Sequence, residues 1–450
     1  MSTPASPAEP DVLDAPTRGV DVLVEVTDTV SVPYTTGLQR VTRELLTRLP
    51  RSGSPSFRPV RWSPACDGYR DLTADEARVL ADPPERLPRT TRLAASLPAP
   101  AATAVRRVLA TRAARRARST MRQWSTARSE RDRTHLCVGS VDARADDQSR
   151  VLLDLEAAWN DPQPRTTLLA EQAAQGVRSG ALIADVLPFL HPEWFDDQLV
   201  RDFTTFLDGH LRHSDLFLCI SERTRVDLLH VAEQRGVTRA LRTEVIPLGA
   251  DLTDADAVAD PRTIERFASL PERYLLLVGT LEPRKNQQLA LDVLDGIRDT
   301  HPDVALVLVG KRGWKVDDLI RRIEHHPGRG RRLFWFEEVD DRALQSLYRG
   351  ATICLTPAVY EGLGVTVMEA LHLGTPVIAS TGGALPEAGG SAAEYADPDD
   401  TTGWIQLVCA HLDDPAHHAQ ARRRAAAWRP PTWDDAADAV VTAVREVFGA

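Results

Sequence analysis

The sequence predicts two doubly wound α/β domains facing each other across a cleft, and three observations carry that prediction. At 450 residues the chain is too long for one hydrophobic core and suits two domains of about 200 residues each. Short apolar runs alternate with helical periodicities, the rhythm of parallel sheets covered on both faces. A polar stretch, LGADLTDADAVADPRT at 248–263, interrupts that rhythm near the middle of the chain.

Taken in order, residues 1–18 mix Pro, Ala, Ser and Asp without a period, the composition of a disordered leader. The first domain, 19–250, opens with a β-rich run at 22–26, a loop containing Pro33 and Gly37, and an amphipathic helix over 38–49. Further strands are expected at 152–155, 181–187 and 216–220, with Ser221 as the N-cap of the helix that follows. A strand near 245–247 leads into an interdomain linker, 251–270. The second domain, 271–428, repeats the rhythm more cleanly. Its strands are expected at 274–278, 305–309, 333–336, 352–355 and 377–380, and its helices at 286–297, 316–323, 341–348 and 365–373.

Composition narrows the function. Five cysteines lie far apart with no CxxC pair, which argues for a reducing compartment and against a disulfide scaffold or structural zinc. No basic region followed by an apolar run marks a secretory signal and no stretch approaches a membrane span, so a cytoplasmic location is expected. The formal net charge is -10, yet ten arginines fall within 101–133 against only Glu130 and Asp132. This segment reads either as a peripheral contact for an anionic membrane or as a solvated surface. Nucleic acid is excluded as a partner, because the remainder is acidic and no recognition motif accompanies the arginines.

Chemistry concentrates in the second half. In TPAVYEGLGVTVMEALHLGTP, 356–376, Glu361 ends the turn after a strand, and Gly362 and Gly364 free the backbone. Leu363, Gly364 and Val365 then present N–H groups at a helix N-terminus, a ready anion site. Glu369 sits on that helix, where a carboxylate accepts hydrogen bonds from a ribose. At the matching corner earlier, GTLEPRKN at 279–286 sets Arg284 and Lys285 beyond a strand's C-terminal end. Two cations there oppose the charge that builds on a departing nucleoside diphosphate.

Together, EPRKN at 282–286 and EGLGVTVMEALHLGTPVIAS at 361–380 resemble the GT4-type family of retaining glycosyltransferases, marked by two glutamates with seven residues between them. The likeness extends to TGLQR at 36–40, ADVLPFLHPEWF at 184–195, SERTR at 221–225 and IPLGAD at 246–251. It implies the GT-B fold, with an acceptor-binding first domain, a donor-binding second domain and a terminal helix, 429–450, crossing back to the first. It also implies Arg284 and Lys285 on the donor diphosphate, Glu369 on the ribose and Glu361 near the sugar's 3-hydroxyl. Glu338 and Val339 would hold the base, and Thr36 and Gly37 would form the N-terminal glycine loop. Near the reacting carbon, Asp185 and His191 both remain candidates. Leu363 and Thr366 stand where most relatives carry Phe and Leu or Ile, which alters the pocket's shape more than its mechanism.

The implied reaction moves a hexose, with mannose among the candidates, from a GDP- or UDP-sugar to a glycan or lipid-linked glycan acceptor. No metal is expected, and the Asp-Ala-Asp at 254–256 reads as linker. A nucleotide-sugar epimerase and a catalytically inactive nucleotide-sugar-binding protein are the alternatives.

Overall fold

The computed structural model describes residues 19–31, 37–65, 67–81, 149–161, 163–250 and 261–449. The leader, Thr36, the arginine-rich segment 101–133 and the Asp-Ala-Asp of 254–256 lie outside them.

Two sheets organise the chain. The first contains β1 (Val20–Glu25), β2 (Ser56–Ser63), β3 (Gly68–Asp71), β4 (Ser149–Asp154), β5 (Arg178–Ile183), β6 (Leu216–Cys219) and β7 (Arg242–Val245). Its order is β3-β2-β1-β4-β5-β6-β7, parallel except for β3, which runs antiparallel to β2. The second contains β8 (Tyr274–Val278), β9 (Ala305–Val309), β10 (Leu333–Phe336), β11 (Ile353–Thr356), β12 (Val377–Ser380) and β13 (Glu394–Ala396). It is parallel throughout, in the order β10-β9-β8-β11-β12-β13.

Strand periodicity builds the cores. Along β8, Tyr274 and Leu276 enter one apolar cluster while Leu275 and Leu277 enter another, because successive side chains point to opposite faces. Val22 and Val24 of β1 separate from Leu23 in the same way. Helix Gly37–Arg48 buries Val41, Leu45 and Leu46, whose spacing makes one helical stripe.

Some expectations need correction. The strand expected at 181–187 ends at Ile183, because Asp185 Oδ1 accepts the Leu187 N–H at 3.0 Å and the chain turns into helix Leu187–Leu190. The last part of the expected linker is packed: Phe267 and Leu270 are buried in the core. Hairpin β2-β3, strand β13 and helices Thr401–Asp413 and Pro415–Ala427 were not anticipated.

Helix Trp433–Phe448 starts at a capping box between Thr432 and Asp435 and packs on helix Gly37–Arg48 of the first domain. Its Trp433 seals against Gly249, where a Cβ would stand 2.6 Å from the indole Cδ1 and 2.7 Å from the Trp433 nitrogen. Gly249→Ala is therefore expected to destabilise the protein by about 1–3 kcal/mol. A lower urea midpoint at unchanged slope would show it.

Candidate functional site

Sheet topology places the site. In the second sheet the strand order reverses between β8 and β11, so the loops leaving their C-terminal ends diverge and open a crevice. After β8 comes a 3₁₀ turn, Pro283–Lys285, closed by Asn286 in the left-handed region at φ 54°. After β11 comes the segment Tyr360–Gly364, and Gly364, at φ 95°, caps helix Val365–His372. The Val359 N–H donates to the Arg284 carbonyl at 2.7 Å, which joins the two loops.

Their side chains converge. Arg284 Nη1 lies 2.7 Å from Glu361 Oε2, and Lys285 Nζ donates to Glu361 Oε1. Arg284 Nη2 also reaches Glu282 Oε1 at 2.9 Å. Burial opposes the charge on Glu361, but Arg284 and Lys285 outweigh it and hold the carboxyl at about 2. Burial likewise opposes the charge on Arg284, and Glu361, Glu282 and Asp185 more than offset it. Asp185 keeps part of its surface open, yet protein surrounds its carboxylate closely enough to raise its pKa against the pull of Arg284. Glu282 is raised by burial too.

The sign of one pH effect follows. Glu361 has a folded pKa depressed from 4.5 to about 2, so its contribution is complete above pH 4.5 and is lost as pH falls toward 2. The stability gap between wild type and Glu361→Gln is expected to shrink over that window in urea titrations. A gap independent of pH would contradict the pairing.

The remaining anticipated residues are placed as follows. Glu369 is buried on its helix, with Arg40 Nη1 3.2 Å from Oε1 and the Tyr348 hydroxyl donating to Oε2 at 3.0 Å. Gly37 begins the helix that carries Arg40. Leu363 is buried beside Gly362, whereas Val365 is exposed. Glu338 and Val339 follow β10, and the Glu338 carbonyl accepts from Arg266 Nη1 at 2.6 Å. His191 stacks on Trp194 with ring centroids 4.0 Å apart and lies 6.0 Å from the Tyr360 ring. Both Asp185 and His191 thus face the β11 loop from the first domain.

The domains meet at this point. Ser221 Oγ and Thr224 Oγ1 donate to the Gly362 carbonyl at 2.6 and 3.1 Å. A Cβ on Gly362 would stand 2.4 Å from the Ala184 carbonyl oxygen, so only glycine permits this approach. With that geometry in view, residues 262–428 match the family model described as glycosyl transferases group 1. This domain belongs to the glycosyl transferases group 1 family.

Relatives of the group 1 domain point the same way. The serotype-specific mannosyltransferase WbdA of Escherichia coli is 29% identical over 219 residues, 47% of this chain and 27% of that protein. The O-antigen chain mannosyltransferase B of Escherichia coli is 27% identical over 270 residues, 58% of this chain and 68% of that protein. The chain therefore spans 27% of the length of WbdA. Among solved structures, sucrose-phosphate synthase from Thermosynechococcus elongatus shares the fold at TM-score 0.58 and 20% identity, covering 96% of this chain and 99% of that one. That likeness concerns the two-domain GT-B architecture.

Several contacts around the group 1 crevice were missed in the sequence. Glu387 accepts the Glu222 and Arg223 N–H groups and so caps the first-domain helix Glu222–Gln234 from across the cleft. Tyr360 donates to Asp227 and accepts from Arg223. Arg40 and Arg223 did stand in the quoted TGLQR and SERTR segments, but Tyr348, Asp227 and Glu387 carried no local signal.

Proposed function

We propose that this protein is a retaining glycosyltransferase that moves a hexose from a nucleoside diphosphate sugar to a glycan or lipid-linked glycan. The observation that carries the reading is the convergence of Arg284 and Lys285 on Glu361 at the switch point of the second sheet, against the first domain. In this reading the diphosphate takes over the two cations from Glu361, which is then left to accept from a sugar hydroxyl. Glu369 accepts from the ribose, and Glu338 and Val339 border the base.

Attack is from the face of the leaving group. The acceptor hydroxyl approaches the anomeric carbon beside the diphosphate, an oxygen of which takes the proton as the bond to the sugar breaks. Arg284 and Lys285 meet the charge that develops there, and the closed cleft excludes water. Asp185 and His191, on the first domain, flank the acceptor side. The names of the mannosyltransferase relatives make GDP-mannose the first donor to try, with UDP-sugars beside it.

The test is to incubate the purified protein with single nucleotide sugars and follow release of the nucleoside diphosphate by mass spectrometry, with and without glycan acceptors. One donor is expected to be consumed, faster with acceptor. Clean conversion of a donor to its epimer would favour an epimerase, and donor binding without turnover on any acceptor would favour the inactive binding protein. The two cations also make a metal unnecessary in this reading. Turnover is expected to survive excess EDTA, and loss reversed only by Mg²⁺ or Mn²⁺ would overturn that part.

Among the described residues no helix is long and apolar enough to cross a membrane. For a lipid-linked acceptor, the arginines of 101–133 would supply reversible, salt-sensitive attachment to an anionic membrane face.

A further inference from the structure

A second cluster of chemically capable side chains lies away from the crevice. Glu394 opens the edge strand β13; His411 stands in the last turn of helix Thr401–Asp413 and His417 in the first turn of helix Pro415–Ala427. That first helix leaves the C-terminal side of the sheet and runs back, which carries His411 toward the end opposite Glu361. Asp414 caps the second helix by accepting the Ala416 and His417 N–H groups at 2.8 and 3.2 Å, which fixes the corner between them.

Three donor atoms converge here. His411 Nε2 lies 3.4 Å from Glu394 Oε2, and His417 Nε2 lies 3.3 Å from the same oxygen. All three lie within 4.8 Å of one another. A charge-assisted hydrogen bond from imidazole to carboxylate would be about 2.7–2.9 Å long. Ligand atoms around a tetrahedral ion with bonds of about 2.0–2.1 Å stand about 3.3–3.4 Å apart, which is the spacing of each imidazole nitrogen from Glu394 Oε2.

His411 supplies an independent observation. Its side chain is 1% exposed, and Nε2 has no hydrogen-bond partner among the described residues. Its other nitrogen, Nδ1, lies 3.3 Å from His418 Nδ1. When the Nδ1 proton is donated to His418, the Nε2 lone pair points at a carboxylate oxygen. In that tautomer two acceptors face each other across a gap that a cation would fill.

The surroundings suit a metal as well. Arg424 donates to Glu394 Oε1, so Oε2, which His417 Nε2 meets at 3.3 Å, is the oxygen that faces both imidazoles, and His418 orients His411 from behind, which is how outer partners hold ligands to zinc. Two imidazoles and one carboxylate match zinc rather than Mg²⁺ or Ca²⁺, which favour oxygen. His417 is 30% exposed and leaves a route for the ion and a place for water as fourth ligand.

We propose that Glu394, His411 and His417 bind a zinc ion that ties the edge of the second sheet to the corner between its last two helices, independently of the chemistry in the crevice. Untagged full-length protein, stripped with chelator and then dialysed against Zn²⁺, is the material for the test. Zinc retained per chain is read by elemental mass spectrometry and its affinity by competition with a zinc dye.

Wild type is expected to retain one ion and to melt at a higher temperature with Zn²⁺ but not with Mg²⁺. His417→Ala and Glu394→Gln are expected to weaken zinc binding at least about tenfold. Both are to be checked for wild-type circular dichroism without metal, and His417→Ala, at a partly exposed position, is the variant least able to disturb folding. Cys409→Ser tests the neighbouring group of His301, Cys409 and Asp413 and is expected to bind as wild type does. Wild type that binds no zinc overturns the proposal. So does tight binding by both His417→Ala and Glu394→Gln, or zinc lost through Cys409→Ser instead.

Discussion

Lys285→Ala is expected to lower turnover by at least about 100-fold with the protein still folded. Lys285 is largely buried at the crevice and donates to Glu361, whose charge it shares with Arg284. Losing it removes a cation from the place where the leaving diphosphate gains charge, an interaction that strengthens in the transition state. Folding suffers less, because Arg284 still pairs with Glu361 at 2.7 Å. Steady-state kinetics with the preferred donor, beside circular dichroism, separate the two effects. Unchanged turnover would remove the diphosphate from this place. Lys285→Arg is expected to recover only part of the activity, since a planar fork does not reproduce a compact ammonium.

Arg165→Met is expected to cost about 3–5 kcal/mol of stability. Arg165 is fully buried behind the first sheet, with Nε 2.6 Å from Asp154 Oδ2 and Nη2 2.8 Å from Asp161 Oδ2. Glu25 Oε2 stands 3.9 Å away, and His210 Nε2 meets Asp154 Oδ2 at 3.0 Å. Burial opposes the charge on Asp154, but Arg165 and His210 outweigh it and hold the carboxyl at about 2. Asp161 and Glu25 are instead driven up, first by burial and then by neighbouring carboxylates, Glu25 acting on Asp161 and Glu156 on Glu25. Without the guanidinium, Asp154 keeps its burial and loses its main counter-charge. In wild type the Asp154 contribution is complete above 3.8 and is lost as pH falls toward 2. The deficit of Arg165→Met is therefore expected to narrow on acidification. Urea unfolding at several pH values measures both effects, and a deficit below about 1 kcal/mol would mean that the cation is dispensable.

The second domain was easier to read than the first. Strands such as β9, Ala-Leu-Val-Leu-Val with every residue buried, form one apolar run between His-Pro-Asp at 301–303 and Gly310, so burial and sequence coincide. Strand β2 contains Pro59 and mixed polarity, so no apolar run marks it in the sequence. Arg284, Lys285, Glu361 and Glu369 stood out because chemistry and local turn geometry share a short segment. The contacts that tie Glu387, Tyr348 and Asp227 to the crevice reach residues at least 21 positions away. The zinc-type cluster escaped notice for a similar reason: His417 is 23 residues from Glu394, and no pattern of close ligands announces it.

The seal between Gly249 and Trp433 also bears on motion. The chain passes from the first domain to the second after Gly249 and returns just before Trp433, so these two residues mark both crossings. Because they touch, the crossings are clamped side by side instead of bracing the cleft at two separated points. A swing between two bodies joined in this way would turn about the clamp, like a pair of tongs with its rivet at Trp433. The jaws are the first-domain segment holding Asp185 and the β11 loop holding Gly362. A rotation at the rivet would act at the jaws on the bonds from Ser221 and Thr224 to the Gly362 carbonyl.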